Sequence, residues 1–327
     1  MAWNARHSGE IGVNELPGRV CPLSYRYGVA ALRTAPERSA ATLYVIGGLY
    51  GNRPALDAVA ALAAAESAPV TWCFNGDFHW FDADDAAFLE INARVLDHDA
   101  ILGNVEAELL TEADAAGCGC AYPDTVAAEI VERSNRIHAR LKATAWRYPE
   151  ALAALRRLPM VARYRVGDLR VGVVHGDAEA LAGWRFDVNA LDDPANRAWM
   201  EAAFAQAQVD IFASSHTCLP VCRRFALEHR TGWVINNGAA GMPNFADTRF
   251  GVITRISVSP SPHPSLYGGT VGGIHFDALA LKFAADRWER EFLASWPPES
   301  PAYRSYFSRI VHGPNYTMEQ AHAAISR

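Results

Sequence analysis

The stretch Thr71-Trp72-Cys73-Phe74-Asn75-Gly76-Asp77-Phe78-His79-Trp80-Phe81 governs how the rest of the chain is read. A short apolar run stops at Gly-Asp, and a His and three aromatics follow. A strand that ends at a Gly leaves the next side chain at the carboxyl edge of its sheet, where open α/β sheets place their ligands. Asp77 is the side chain delivered there. An Asp after a strand also serves as an ordinary turn residue, so the weight falls on whether other strands end the same way.

Upstream, residues 42–47 read as a buried strand that breaks into Gly47-Gly48-Leu49-Tyr50-Gly51-Asn52. Downstream, 99–102 ends in Gly103-Asn104. A strand at 169–174, joined to 163–166 by the hairpin signal Gly167-Asp168, runs into His175-Gly176-Asp177. A strand at 210–213 meets Ser214-Ser215-His216-Thr217-Cys218. Asp77, Asn104, His175 and His216 therefore end four strands. A carboxylate, an amide oxygen and two imidazoles form a mixed oxygen and nitrogen set suited to Mn, Fe, Zn or Ni.

Helical periodicity fills most of the intervals: 55–67 after Pro54, 82–96 with Asp82 as the expected N-cap, 123–147, 150–158 and 195–208. Residues 106–120, with Cys118-Gly119-Cys120, read as a loop that could line a cleft. Further strands are expected at 221–225, 233–235, 252–258 and 275–283, and helices at 286–295, 301–311 and 318–326. The Gly-rich segment 261–275 reads as a hairpin connection, because it lacks the Gly-Lys-Ser/Thr ending of a phosphate loop. The aromatics of the last helices, Trp288 to Phe307, read as core or as an oligomer contact. Alternating βα units followed by meandering strands fit two stacked sheets with helices outside.

The 327 residues are expected to form a single domain, 1–327, with its core at about 42–258, an N-terminal extension at 1–41 and a C-terminal elaboration at 259–327. A net charge of −6 gives no electrostatic reason to bind nucleic acid or anionic lipid. No apolar run approaches the roughly 20 residues that span a bilayer, and the N-terminus lacks the apolar stretch of a signal peptide. The expectation is a cytoplasmic protein with its six cysteines reduced.

In order and spacing these motifs resemble the calcineurin-like metallophosphoesterases, especially their small bacterial and archaeal phosphodiesterase branch. Gly47–Asn52 stands where that family has Gly-Asp-x-His-Gly-Asn. Gly76-Asp77 matches its second motif and Gly103-Asn104-Val105-Glu106 its third. His175-Gly176 matches its His-Gly, Ser215-His216-Thr217-Cys218 its Gly-His-Thr-His, and Asn237 to Pro243 the run that follows. The resemblance implies a four-layer αββα sandwich of two mixed sheets. It also implies two metals, bridged by the second-motif Asp, that clamp the oxygens of an in-line displacement on a phosphate ester.

The same resemblance exposes the departures. Of the four positions implied for the first metal, three are altered: Gly48, Tyr50 and Cys218 stand with Asp77. All four implied for the second are intact: Asp77, Asn104, His175 and His216. Cys218 remains a candidate ligand as thiolate, and Tyr50 and Asn52 are candidates for contact with substrate. His79 and Glu106 are candidates for general acid or phosphate contact, while Val105 replaces a His that many members carry. The expectation is one divalent metal, a small phosphorylated substrate and room for a homo-oligomer. The competing expectation is a pseudo-enzyme that keeps the fold as a binding or scaffold module, as one retromer subunit does.

Overall fold

The computed structural model describes residues 16–112, 115–228 and 231–322. After a short helix α1 (Ala30–Thr34), the chain lays down β1 (Glu37–Ser39) and β2 (Thr42–Ile46). Then come α2 (Arg53–Ala64), β3 (Val70–Asn75), α3 (Asp85–Leu96), β4 (Asp99–Ile101), α4 (Asn104–Leu109), α5 (Ala128–Ala145) and α6 (Pro149–Leu155). The hairpin β5 (Val161–Val166) and β6 (Leu169–Val174) follows, then α7 (Val188–Asp192), α8 (Arg197–Ala207), β7 (Ile211–Ser214), β8 (Pro220–Ala226) and β9 (Thr231–Asn237). The rest is β10 (Gly251–Ser257), β11 (Ser265–Val271), β12 (Ile274–Leu281), α9 (Ala285–Ser295), α10 (Pro301–His312) and α11 (Met318–Ala321).

The strands form two six-stranded mixed sheets, in the orders β11-β12-β10-β2-β3-β4 and β1-β5-β6-β7-β9-β8. The two-residue side-chain period of a strand sorts the core into layers. In β2, Leu43 and Val45 face the second sheet, sharing a cluster with Val171, Val173, Ile211 and Ala213. Tyr44 and Ile46 face the opposite way, onto α2, α3 and α9. In β7, Phe212 packs outward on Met200 and Phe204 of α8, while its neighbours Ile211 and Ala213 face inward. The result is a four-layer αββα sandwich. Strands buried on both faces read as unbroken apolar runs, and all five residues of β2 are buried.

β2, β3 and β4 run parallel side by side, as do β6 and β7, so their carboxyl ends emerge at one edge. Polar side chains sew the two sheets together there. Asn75 Nδ2 donates to the Val174 carbonyl at 3.1 Å, and Asn237 Nδ2 to the Gly47 and Val252 carbonyls at 3.0 Å each. Gly76, at φ +91°, permits the tightest approach. A Cβ there would lie 2.5 Å from Gly103 Cα and 2.6 Å from His175 Nδ1.

Several local expectations shift. The N-cap of α3 is Asp84, which accepts from Ala87 N, because the Asp82 side chain is engaged elsewhere. Residues 106–109, the start of the segment expected as loop, belong to α4, and the Gly-rich segment contributes β11 as an edge strand against β12. The C-terminal strands complete the first sheet, with β12 paired to β10 over seven residue pairs. Of the helix expected at 318–326, α11 covers Met318–Ala321, and residues 323–326 lie outside the described residues. Among the described residues no helix is long and apolar enough to cross a membrane.

Candidate metal centre

Four side chains meet where β3, β4, β6 and β7 end. His175 Nε2 lies 3.0 Å from Asn104 Oδ1, 3.3 Å from Asp77 Oδ1 and 3.1 Å from His216 Nδ1. One ligand atom each of Asp77, His175 and His216 fits within a mutual distance of 4.8 Å, and all three residues are buried.

The outward-facing atoms fix which inward atoms are free. His175 Nδ1 is 2.9 Å from the Asn75 carbonyl, and His216 Nε2 is 3.1 Å from the Cys120 carbonyl. A carbonyl oxygen only accepts, so both outer nitrogens carry the hydrogen and donate. The neutral rings then aim their remaining lone pairs, on His175 Nε2 and His216 Nδ1, at one point. Asn104 is oriented the same way: its Nδ2 donates to the Cys118 carbonyl at 2.9 Å, which turns its oxygen inward. Imidazole ligands held by outer N–H bonds to carbonyls are the usual support of a metal site. The donor set therefore fits a divalent cation.

Asp77 sits at φ +50°, an unusual conformation for a non-glycine residue. Val105 N donates to its Oδ1 at 3.2 Å. Burial alone would raise its pKa, but the charge of His175 and the bond to it hold it below the ordinary carboxylate range. Burial disfavours charge on His175 too, yet Asp77 overrides this and raises its pKa. His216 is pushed down to about 3 by burial and by the neighbouring His175 charge. Any proton the cluster keeps on His175 would sit on Nε2, between the Asp77 and Asn104 oxygens, because Nδ1 already donates to the Asn75 carbonyl.

The positions beside this cluster are filled. Gly48, at φ +64°, has no side chain, and the Tyr50 ring stands over it: a Cβ on Gly48 would lie 3.0 Å from the ring's Cε2 and Cζ. Tyr50 Oη is 2.9 Å from Cys218 Sγ. Burial raises the Tyr50 and Cys218 pKa values, so both stay protonated near neutral pH. Cys218 is turned toward Tyr50 as a thiol and does not join the Asp77 cluster as a thiolate. Tyr50 and Cys218 also adopt positive φ, at 55° and 61°.

The other candidate residues stand behind the centre. Asn52 is the N-cap of α2, accepting from Ala55 N and donating to the Gly241 carbonyl at 2.8 Å. Glu106 is fully buried and accepts from the backbone N–H groups of Asp77, His79 and Gly103, so it pins the loop that carries Asp77. His79 is also fully buried, stacked on Phe88, with Nδ1 2.6 Å from Asp82 Oδ2. None of these three lines the cleft. Their place is in support of the loops, against the expectation of contact with substrate.

In front of the cluster opens a cleft of about 480 Å³. Asp77, Asn104 and His216 lie on its floor with Tyr50 and Cys218. Trp80, Tyr122, Trp184 and Tyr306 wall it, and Arg309 reaches it from α10. Cys120 of the Cys-Gly-Cys loop lines it, as the sequence suggested for that loop. Nothing in the sequence pattern singled out Arg309 or Tyr306. They arrive from more than 60 residues past the last motif, on a helix whose aromatics read as core.

No family model matches the sequence, and no curated protein matches it. Solved structures do. A hypothetical protein from Pyrococcus horikoshii OT3 superposes with a TM-score of 0.55 at 15% identity, covering 84% of this chain and 99% of that one. A metallophosphoesterase from Sphaerobacter thermophilus superposes at 0.51 and 16% identity, covering 84% and 100%. At this identity the likeness concerns the fold alone, the two-sheet sandwich that this chain shares with the Sphaerobacter metallophosphoesterase.

Proposed function

We propose that this chain is a phosphoester hydrolase working with one divalent cation, Mn, Fe, Zn or Ni, held by Asp77, Asn104, His175 and His216. The observation that carries this reading is the convergence of four donor atoms, three of them aimed inward by the bonds that Asn104, His175 and His216 make to outer carbonyls. A cation bound there would act as a Lewis acid toward a phosphate oxygen and lower the pKa of water. The chain's own residues hold the geometry. The Asn75 and Cys120 carbonyls fix the imidazole tautomers, and Glu106 fixes the Asp77 loop. The aromatic walls keep bulk water from the centre, which strengthens every charge interaction inside. The substrate class is a small phosphomonoester or phosphodiester.

The test is metal content per chain together with hydrolysis of bis(p-nitrophenyl) phosphate and p-nitrophenyl phosphate under added manganese. About one metal per chain and turnover that disappears on chelation are expected. Metal-free protein without turnover would sink the proposal.

A second reading, a binding module without turnover, is favoured by a separate observation. The Tyr50 ring occupies the space over Gly48, and its hydroxyl is tied to Cys218. A cleft closed to a second cation can still hold a ligand. Bound metal without hydrolysis of either ester would select that reading.

A further inference from the structure

Arg309 carries a positive charge that the site as described so far does not use. Its Nε donates to the Pro243 carbonyl at 3.0 Å and its Nη2 to the Cys218 carbonyl at 2.7 Å. Two carbonyls fix the guanidinium plane. Nη1 and the second hydrogen of Nη2 remain, a fork of the kind that matches phosphate oxygens. Among the described residues Arg309 makes no ion pair. It is half-buried, and it lines a cleft whose walls are largely aromatic. A cation brought out of bulk water without a counter-ion is costly, and an anion in the cleft would relieve that cost.

Its position gives the charge a meaning. Cys218, whose carbonyl Arg309 grips, fills the altered half of the centre with Tyr50. Opposing the effect of burial, the Arg309 charge lowers the pKa of both Cys218 and Tyr50, which places the guanidinium beside that pair. The retained donors Asp77, Asn104 and His216 lie on the same cleft.

We propose that Arg309 anchors the substrate's phosphate, supplying from α10 the second positive group where Gly48, Tyr50 and Cys218 hold no metal. The flat apolar part of the ester then lies against Trp80, Tyr122, Trp184 and Tyr306. Aromatic faces favour a planar group by stacking. The substrate class narrows to phosphate esters of aromatic or similarly flat apolar alcohols. This assignment rests on the phosphoesterase reading for its substrate, and its test is a binding measurement that needs no turnover.

The probe is phenylphosphonate, which is not hydrolysed, titrated calorimetrically into manganese-loaded and chelated protein. The variants are Arg309→Gln, which keeps an amide donor for the two carbonyls and loses the charge, and Arg309→Lys. In the Gln variant, affinity should fall about 10–100-fold in both metal states, as expected for a lost hydrogen bond between charged groups. The Lys variant should fall between, because a point charge replaces the fork. Methylphosphonate should bind wild type about tenfold more weakly than phenylphosphonate, in line with the apolar area it lacks. Phenol, which is neutral, should bind wild type and the Gln variant alike.

A Gln variant with wild-type thermal stability and wild-type affinity for phenylphosphonate would overturn the proposal. So would equal losses for phenol and phenylphosphonate, which would make Arg309 a structural brace only. Arg309-dependent binding without turnover by the wild type would refute the hydrolase and uphold this assignment. Turnover with an unchanged KM in the Gln variant would do the reverse.

Discussion

The two halves of the candidate centre share one loop edge and one Asp, yet they are finished in opposite ways. In one half, Asp77, Asn104, His175 and His216 turn their donors inward; the outer atoms of Asn104, His175 and His216 are tied to carbonyls, and Val105 N donates to the inward Asp77 oxygen itself. In the other, Gly48, Tyr50 and Cys218 turn on each other: the ring covers the glycine and the hydroxyl meets the thiol. The first half is a polar cluster left incomplete, which buried groups tolerate only when a proton or a cation finishes it. The second is closed without one. Gly48, Tyr50 and Cys218 fill with one another the volume beside the open cluster.

The comparison breaks most readily at Asp77. Asp77→Ala should lower metal affinity by more than about 100-fold, beyond the 10–100-fold typical of lost second-layer partners, whereas Cys218→Ala should leave it unchanged. Metal content after dialysis reads both. Loss of metal in Cys218→Ala would show that the closed half takes part in binding and would erase the distinction.

Reopening the closed half is the next test. Gly48→Asp alone must place a Cβ against the Tyr50 ring, 3.0 Å from two of its carbons, at a positive φ. It should cost about 1–3 kcal/mol, the range of overpacked sites. Tyr50→His introduced first should reduce that cost, so thermal unfolding of the two singles and the double should be non-additive. With Cys218→His as well, bound metal should rise from one per chain toward two. Additive stabilities would mean that Tyr50 does not obstruct the site.

Proton competition sharpens the open half. The folded-state pKa of His175 is raised, so below that value Nε2 carries a proton that a cation must displace. Affinity should climb with pH by up to about tenfold per unit and level off above the ordinary imidazole value of about 6.5. His216, pushed down to about 3, is already neutral and adds no slope in this range. Calorimetry between about pH 5.5 and 8 should show close to one proton released on binding at the acidic end. A flat profile would mean that the proton is not where the geometry puts it.

The sequence exposed the open half and concealed the closed one for a physical reason. A ligand at a strand end has a local signature: an apolar run, a Gly and a polar side chain, repeated at Asp77, Asn104 and, without the preceding Gly, at His175 and His216. These also order the strands, so the sandwich was legible with them. Space filling has no such signature. Tyr50 could be read as a poor ligand but not as a ring laid over Gly48. Glu106 and His79 sit close to motif residues, yet their burial came from packing between loops. Glu106 became the acceptor for three backbone N–H groups. Asp82, expected to cap a helix, was drawn off by His79 and the Trp80 N–H at 2.9 Å. Arg309 lies too far along the chain for any local pattern to place it at the cleft.

Removing the Tyr50 hydroxyl gives the smallest expected effect and the most specific one. Tyr50→Phe keeps the ring over Gly48 and deletes only the 2.9 Å contact with Cys218 Sγ. The expected loss is about 0.5–1.5 kcal/mol, that of one ordinary hydrogen bond, read as a modest fall in melting temperature. Metal content should stay the same, because the ring still fills the space. Cys218 should react more slowly with a thiol reagent, since the lost hydrogen bond is one of the influences that oppose burial and lower its pKa. If Tyr50→Phe instead admits a second cation, the hydroxyl–thiol bond closes the site and the ring does not. If Tyr50→Ala admits one and Tyr50→Phe does not, the bulk of the ring is what separates the two halves.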